Sequence, residues 1–139
     1  MTAIPSATGD PSPQTPRRLE ALRVLIVEDH HDSADMLAEI LSFDGAETQA
    51  AYLAEAGLEF FLRFRPDVVL VDLHLAGRHD GFWLVEQIRA EPPPLGTIPV
   101  LAVTGDTFLT PAQMQGFSGL IIKPVDTEAL SRLLTRYVR

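Results

Sequence analysis

Five positions in this sequence pair a chemically active side chain with the end of an aliphatic run. Glu28 and Asp29 follow RVLIV, Asp72 closes VVLVD, Thr104 closes VLAVT and Lys123 closes LIIK. A carboxylate placed after four aliphatic residues is either a solvated strand end or an acid held for chemistry. Three carboxylates brought together repel one another, so they hold protons or bind a cation. A hard divalent ion such as Mg²⁺ takes carboxylate and water oxygens, with one or two protein carboxylates and a phosphate completing its octahedron. A lysine beside it acts as a point charge for a carboxylate or phosphoryl oxygen, and a threonine hydroxyl donates to the same oxygen. An aspartate in such surroundings can accept a phosphoryl group as an acyl phosphate. That transfer needs positioning and charge neutralisation, which this set supplies.

These residues can meet only if the chain brings the run ends to one edge. The β-branched run 23–28 reads as a strand covered on both faces, and 67–72, 98–104 and 119–123 read likewise, with a weaker strand at 47–51. Between them, apolar residues recur at helical spacing. Met36, Leu37, Ile40 and Leu41 mark a helix over 32–43, capped by Asp32 or Ser33 and ended at Gly45. Leu58, Phe61 and Leu62 mark one over 53–65, stopped by Pro66. Leu84, Val85 and Ile88 mark a third helix, and a last one starts on Asp126 and carries Leu130, Leu133, Leu134 and Tyr137. The stretch GDTFLTPAQMQG holds at most one helical turn, from Thr110 to Gln115. Five short buried strands alternating with helices predict an α/β fold, a doubly wound parallel sheet with helices on both faces. Ligands of such sheets bind at the carboxyl ends of the strands, where the strand order reverses.

The chain has 139 residues, 46% of them hydrophobic, and no cysteine. That is enough for one domain with a real core. It excludes disulfides and thiolate metal sites, which suits a reducing, cytoplasmic location. No apolar run approaches the ~20 residues of a membrane span, and the N-terminus lacks the apolar core of a signal peptide. A net charge of -8 argues against broad contact with nucleic acid and fits a cation or a basic partner. Residues 1–18, rich in Pro, Ser and Thr, read as a flexible tail before a domain at 19–139.

The segments VLIVEDHHDSADML, VVLVDLHLAGRHDGFWLVEQIR, VLAVTGD and LIIKPVD together resemble the response-regulator receiver domain of two-component signalling, over residues 22–139. The resemblance implies a flavodoxin-like, chemotaxis-regulator-like sheet of five parallel strands in the order 2-1-3-4-5. It implies Asp72 as phosphoacceptor, Thr104 as the switch hydroxyl and Lys123 as the conserved lysine, before a bond to Pro124 that is often cis. Glu28, Asp29 and Asp72, with the backbone carbonyl of His74, would hold Mg²⁺ or Mn²⁺. The chain would be a phosphoacceptor signalling domain rather than an enzyme, supporting its own phosphotransfer and self-dephosphorylation. Its partners would be a histidine kinase or phosphotransfer protein and a downstream protein, with no nucleic acid and no membrane. Such domains also pair through the fourth helix, fifth strand and fifth helix.

Three features depart from the family pattern. Leu120 stands where most receivers carry Tyr or Phe, so the usual threonine–aromatic coupling lacks its ring. The stretch before Lys123 predicts a short or irregular fourth helix. Ala76 and Gly77 replace a proline common after the phosphoacceptor, and the Thr104-Gly105 pair resembles a variant receiver subgroup. Family tuning of self-dephosphorylation falls on His74 and Asp106. With no room for an output domain after Arg139, the expected role is a stand-alone receiver. The alternatives are a receiver-like interaction module that never carries phosphate, and a Mg²⁺-dependent Toprim-like enzyme. The latter fits less well, because Asp72-Leu73-His74 lacks the expected Asp-x-Asp.

Other features have simpler readings. His30, His31, His74 and His79 read as exposed loop residues, since no paired spacing matches a zinc motif. Phe82 or Leu84 reads as core and Trp83 as a partly exposed contact. FFLRF at 60–64 reads as an inner helix face, and the PPP run as a rigid loop.

Overall fold

The aliphatic runs become five parallel strands: β1 (Arg23–Val27), β2 (Glu47–Ala51), β3 (Val68–Asp72), β4 (Val100–Thr104) and β5 (Gly119–Ile122). They lie in the order β2-β1-β3-β4-β5 in a computed structural model that describes residues 17–106 and 108–138. This is the expected 2-1-3-4-5 sheet. The direction of winding reverses between β1 and β3, which opens a crevice at their carboxyl ends. Register fixes what borders that crevice. Val27 pairs with Val71, Asp72 with Val103, and Thr104 with Ile122. The residues just past β1 and β5 therefore flank the last residues of β3 and β4.

Four helices cover the sheet among the described residues: α1 (His31–Phe43), α2 (Ala54–Phe64), α3 (Gly81–Arg89) and α4 (Thr127–Leu134). Asp126 caps α4 as expected, its Oδ1 accepting from the N–H groups of Glu128 and Ala129, both at 3.1 Å. Asp80 does the same for α3, accepting from the N–H of Trp83 at 3.0 Å. The cap of α1 differs from the expectation of Asp32 or Ser33. His30 Nδ1 accepts from the N–H of Ser33 at 3.2 Å, and the helix begins one residue earlier. An imidazole nitrogen meets an orphan first-turn donor as a carboxylate does.

One core lies between the sheet and α1 and α4, built on Val24, Ile26, Leu70, Leu41 and Leu134. The other lies under α2 and α3, built on Val27, Val71, Phe61, Leu84 and Ile88. Every residue of β3 is buried, so the strand carrying Asp72 is packed on both faces. Each fully buried aliphatic side chain contributes about 1.5–3 kcal/mol, which makes β3 the rigid centre of the molecule. Within FFLRF, Phe61 points into the core as expected, whereas Leu62 is exposed. Met36, counted on the apolar pattern of α1, is also exposed.

Between β4 and β5 there is no regular helix among the described residues. Thr110 and Gln113 cap each other reciprocally: the N–H of Thr110 donates to Gln113 Oε1 at 2.8 Å, and that of Gln113 donates to Thr110 Oγ1 at 3.1 Å. One i→i+4 bond follows, from the N–H of Met114 to the carbonyl of Thr110 at 3.1 Å. Gly116, at φ +94, then ends the turn in a conformation open to glycine. The expected irregular fourth helix is thus a single capped turn. In its absence Leu120 and Ile122 of edge strand β5 are 40% and 41% exposed. Of the expected tail, residues 1–16 lie outside the described residues. Arg17 and Arg18 are exposed and Leu19 is buried. No helix among the described residues is long and apolar enough to cross a membrane.

Candidate functional site

Glu28, Asp29 and Asp72 offer one carboxylate oxygen each within 4.8 Å of one another, the only such cluster of potential ligands among the described residues. Local backbone geometry aims them. Glu28 leaves β1 directly into the turn that starts α1, and its Oε2 accepts from the N–H of His30 at 3.0 Å. Asp72 ends β3, and its Oδ1 accepts from the N–H of His74 at 3.0 Å. Asp29 Oδ2 accepts from the N–H of Ala76 at 2.9 Å, which ties the β3–α3 connection to the end of β1. The Glu28 and Asp72 bonds, each to a backbone donor two residues on, are the habit of acidic residues in turns, whereas the Asp29 bond spans two segments. They hold the carboxylates without spending side-chain partners.

Lys123 completes the group from the far edge. Its Nζ lies 2.9 Å from Asp72 Oδ2 and 3.0 Å from Glu28 Oε1. The N–H of Lys123 also donates to the carbonyl of Thr104 at 2.8 Å, so the tips of β4 and β5 are joined beside the acids. The Lys123–Pro124 peptide is cis. Thr104 is fully buried, and its Oγ1 accepts from the N–H of Asp106 at 3.0 Å. Because that lone pair is used, the hydroxyl hydrogen is left for an acceptor oxygen. A Cβ on the neighbouring Gly105 would meet nothing within 4 Å, so the approach beside Thr104 is open.

The charges are unbalanced: three acids face one lysine. Burial pushes the Glu28 carboxyl above its ordinary value of 4.5, and the nearby Asp72 charge adds to this against the N–H of His30 and Lys123. For Asp29 burial acts in the same direction, but the N–H of Ala76, the Glu28 side chain and Lys123 outweigh it and hold the carboxyl below its ordinary value. Adjacent carboxylates push one another's ionisation apart in this way. Burial alone would lower Lys123, yet hydrogen bonds and charge from Asp72 and Glu28 outweigh it and raise it. A site of surplus buried negative charge with carboxylate oxygens within 4.8 Å fits a hard divalent cation.

The structure therefore brings together Glu28, Asp29, Asp72 and Lys123, and places Thr104 on the adjoining strand tip. His74 follows Asp72 by two residues, with an exposed side chain. The histidines do not gather into a metal centre. His30 caps α1. His31, expected on a loop, opens that helix and stacks on Tyr52 at 3.8 Å. His79 stacks on Trp83 at 4.0 Å.

One positioning residue was missed in the sequence. A Cβ on Gly81 would lie 2.5 Å from the carbonyl oxygen of Asp72 and 2.8 Å from Leu73 Cα. Only glycine lets the first turn of α3 pack against the end of β3, and Asp80-Gly81, a cap followed by glycine, was the signal for it.

Comparison with known proteins agrees with this geometry. The family model described as "Response regulator receiver domain" matches residues 24–135. An uncharacterized 14.6 kDa protein from the sodA1 3' region of Leptolyngbya boryana is 31% identical over 122 residues, covering 86% of this chain and 92% of that protein. The sensor protein TorS of Escherichia coli is 33% identical over 123 residues, covering 88% of this chain but only 13% of TorS. A CheY-like receiver domain from Methylobacillus flagellatus superposes with a TM-score of 0.76 at 28% identity, covering 85% of this chain and 99% of that one. By its sheet order, its strand-edge residues and its matched span, this chain belongs to the response regulator receiver domain family.

Proposed function

We propose that this chain accepts a phosphoryl group on Asp72 from a histidine kinase or phosphotransfer protein and thereby changes a partner-binding surface. The observation that carries this reading is the lysine bridge: one ammonium within 3.0 Å of two carboxylates, beside a third acid and a buried hydroxyl. Glu28, Asp29 and Asp72, with the His74 carbonyl, are the residues that would hold Mg²⁺ or Mn²⁺. When bound, the ion would supply positive charge for phosphoryl oxygens. An oxygen of Asp72 forms the new O–P bond as the donor's N–P bond breaks, and the donor imidazole departs with the bond's electrons and takes up a proton. Lys123 Nζ neutralises charge gathering on the transferred group, and the Thr104 hydroxyl donates its free hydrogen there.

A cleft of about 310 Å³ opens on Asp72 and Lys123 and is walled by Met36, Leu37, Ile40 and Val125. Its apolar wall and acidic floor suit a donor domain that brings an imidazole to the carboxylate. The role is that of a cytoplasmic receiver whose switched surface is read by a partner protein. With no regular helix between β4 and β5 among the described residues, that output surface would centre on β5.

The test is incubation with a small-molecule phosphodonor, and separately with a donor kinase, in the presence of Mg²⁺, read by intact mass. An alkali-labile adduct of about 80 Da, the mass of an added PO₃ on an acyl phosphate, is expected in the wild type and absent in Asp72→Asn. No adduct from either donor would reduce the chain to a phosphorylation-independent interaction module.

A further inference from the structure

We propose that Arg89, the last residue of α3, is a positioning residue that pins the β5 end of the β4–β5 connection, so that only the Thr104 end follows the phosphorylation site. Arg89 gathers backbone from two separate segments. Its Nε donates to the Gly116 carbonyl at 2.8 Å, and its Nη1 donates to the carbonyls of Gly96 at 2.9 Å and Ile98 at 2.7 Å. Nη2 stands 3.5 Å from Ser118 Oγ, which itself accepts from the N–H of Val100 at 3.1 Å. The guanidinium thus joins the approach to β4 and the approach to β5 at the carboxyl end of a helix, where a cation is favoured. Its acceptors among the described residues are carbonyls and a hydroxyl, with no carboxylate. A planar fork is required to reach them together. Phe117 adds an edge-on contact with Phe82, ring centres 6.0 Å apart, and a Cβ on Gly116 would come within 3.5 Å of Val85.

The other end of the connection is attached differently. The Asp106 N–H donates to Thr104 Oγ1 at 3.0 Å, and the Phe108 N–H donates to Asp106 Oδ1 at 2.9 Å. Phe108 is 89% exposed and has no core packing. Among the described residues of the stretch 105–118 there is no regular helix that would make it move as one body. It is therefore divided, by a capped turn, into an end bonded to the Thr104 hydroxyl and an end locked to α3 and β4. Movement of that hydroxyl is transmitted to Asp106 and Phe108 and stops at Arg89.

Only the link to phosphorylation rests on the receiver reading. The test itself needs no phosphoryl group. Residue-resolved amide exchange is measured by NMR on the full chain, wild type and variants. Arg89→Gln is expected to speed exchange of the Phe117 and Ser118 amides roughly tenfold or more, as a charge-assisted anchor is lost, and to leave Asp106 within about twofold. Thr104→Val is expected to do the reverse. In the double variant the Thr104→Val effect should spread to Phe117 and Ser118, which a merely structural role for Arg89 would not produce. Arg89→Lys keeps the charge and stem but cannot span both segments, and it decides the matter with a smaller change if the glutamine variant fails to fold. Unchanged Phe117 and Ser118 exchange in the Arg89 variants would overturn the proposal. So would Thr104→Val alone disturbing those amides as much as Asp106.

Discussion

Replacing Lys123 with methionine removes the one cation that, among the described residues, bridges Glu28 and Asp72 while keeping roughly the length of the side chain. At an effective dielectric near 20, each contact at 2.9–3.0 Å is a gross attraction of about 5–6 kcal/mol. Most of it is offset by desolvation, and the lysine side chain is 36% exposed, so screening reduces it further. Exposed pairs are worth about 0–1 kcal/mol and removal of one partner from a buried pair costs about 3–5. With two nearly buried acids and a half-buried lysine, a loss of about 2–3 kcal/mol is expected, or about 10 °C in Tm for a domain of this size. The assay is urea unfolding in EDTA at pH 7.5, repeated down to pH 4.5. Glu28 already titrates above its ordinary 4.5 in the folded state, and loss of the lysine raises it further. The penalty of ionising it is full above the folded pKa and absent below the unfolded one, so the variant's deficit must shrink as pH falls toward 4.5. A deficit under about 0.5 kcal/mol, or one unchanged across that range, would show that the lysine does not balance these carboxylates.

Gly81→Ala forces a methyl to within 2.5 Å of the Asp72 carbonyl. The variant should lose about 1–3 kcal/mol in a urea melt and form the proposed Asp72 adduct at least about tenfold more slowly, because the displaced atoms carry the carboxylate proposed to accept the phosphoryl group. Asp29→Asn keeps an oxygen for the Ala76 N–H but removes a charge from the acid cluster; Mg²⁺ affinity by calorimetry should fall about tenfold or more with the fold intact. Because the Lys123 pKa is raised, its contribution is complete below its ordinary 10.5 and lost as pH rises through the higher folded value, so wild-type stability should fall on strong alkalinisation more than that of Lys123→Met.

The sheet and its edge were legible in the sequence for a physical reason. Strands buried on both faces, such as VVLVD, are written as uninterrupted aliphatics, and a charged residue at their end can lie only at the rim. Asp126 was legible because caps use short polar side chains at fixed offsets, and the single turn from Thr110 to Gln115 because the Gly and Pro residues of that stretch leave little room for a longer helix. The start of α1 was less so, since His30 caps only in the tautomer that leaves Nδ1 as an acceptor, and spacing does not encode that choice. Leu62 and Met36 fit the helical pattern yet face outward, because periodicity marks a stripe and not its edges. Arg89 was not legible, and Gly81 was signalled only as a glycine after a cap, since their roles depend on backbone from other segments: the carbonyls of Gly96, Ile98 and Gly116 for one, that of Asp72 for the other.

The central claim is that acids from two strand ends form one divalent-cation pocket around Asp72. Crystals soaked in Mn²⁺ and measured at its absorption edge test this most directly. A single strong anomalous peak is expected about 2.1 Å from carboxylate oxygens of Asp29 and Asp72 and from the His74 carbonyl, with Lys123 still beside Asp72. A peak elsewhere, or none at millimolar Mn²⁺, would contradict it.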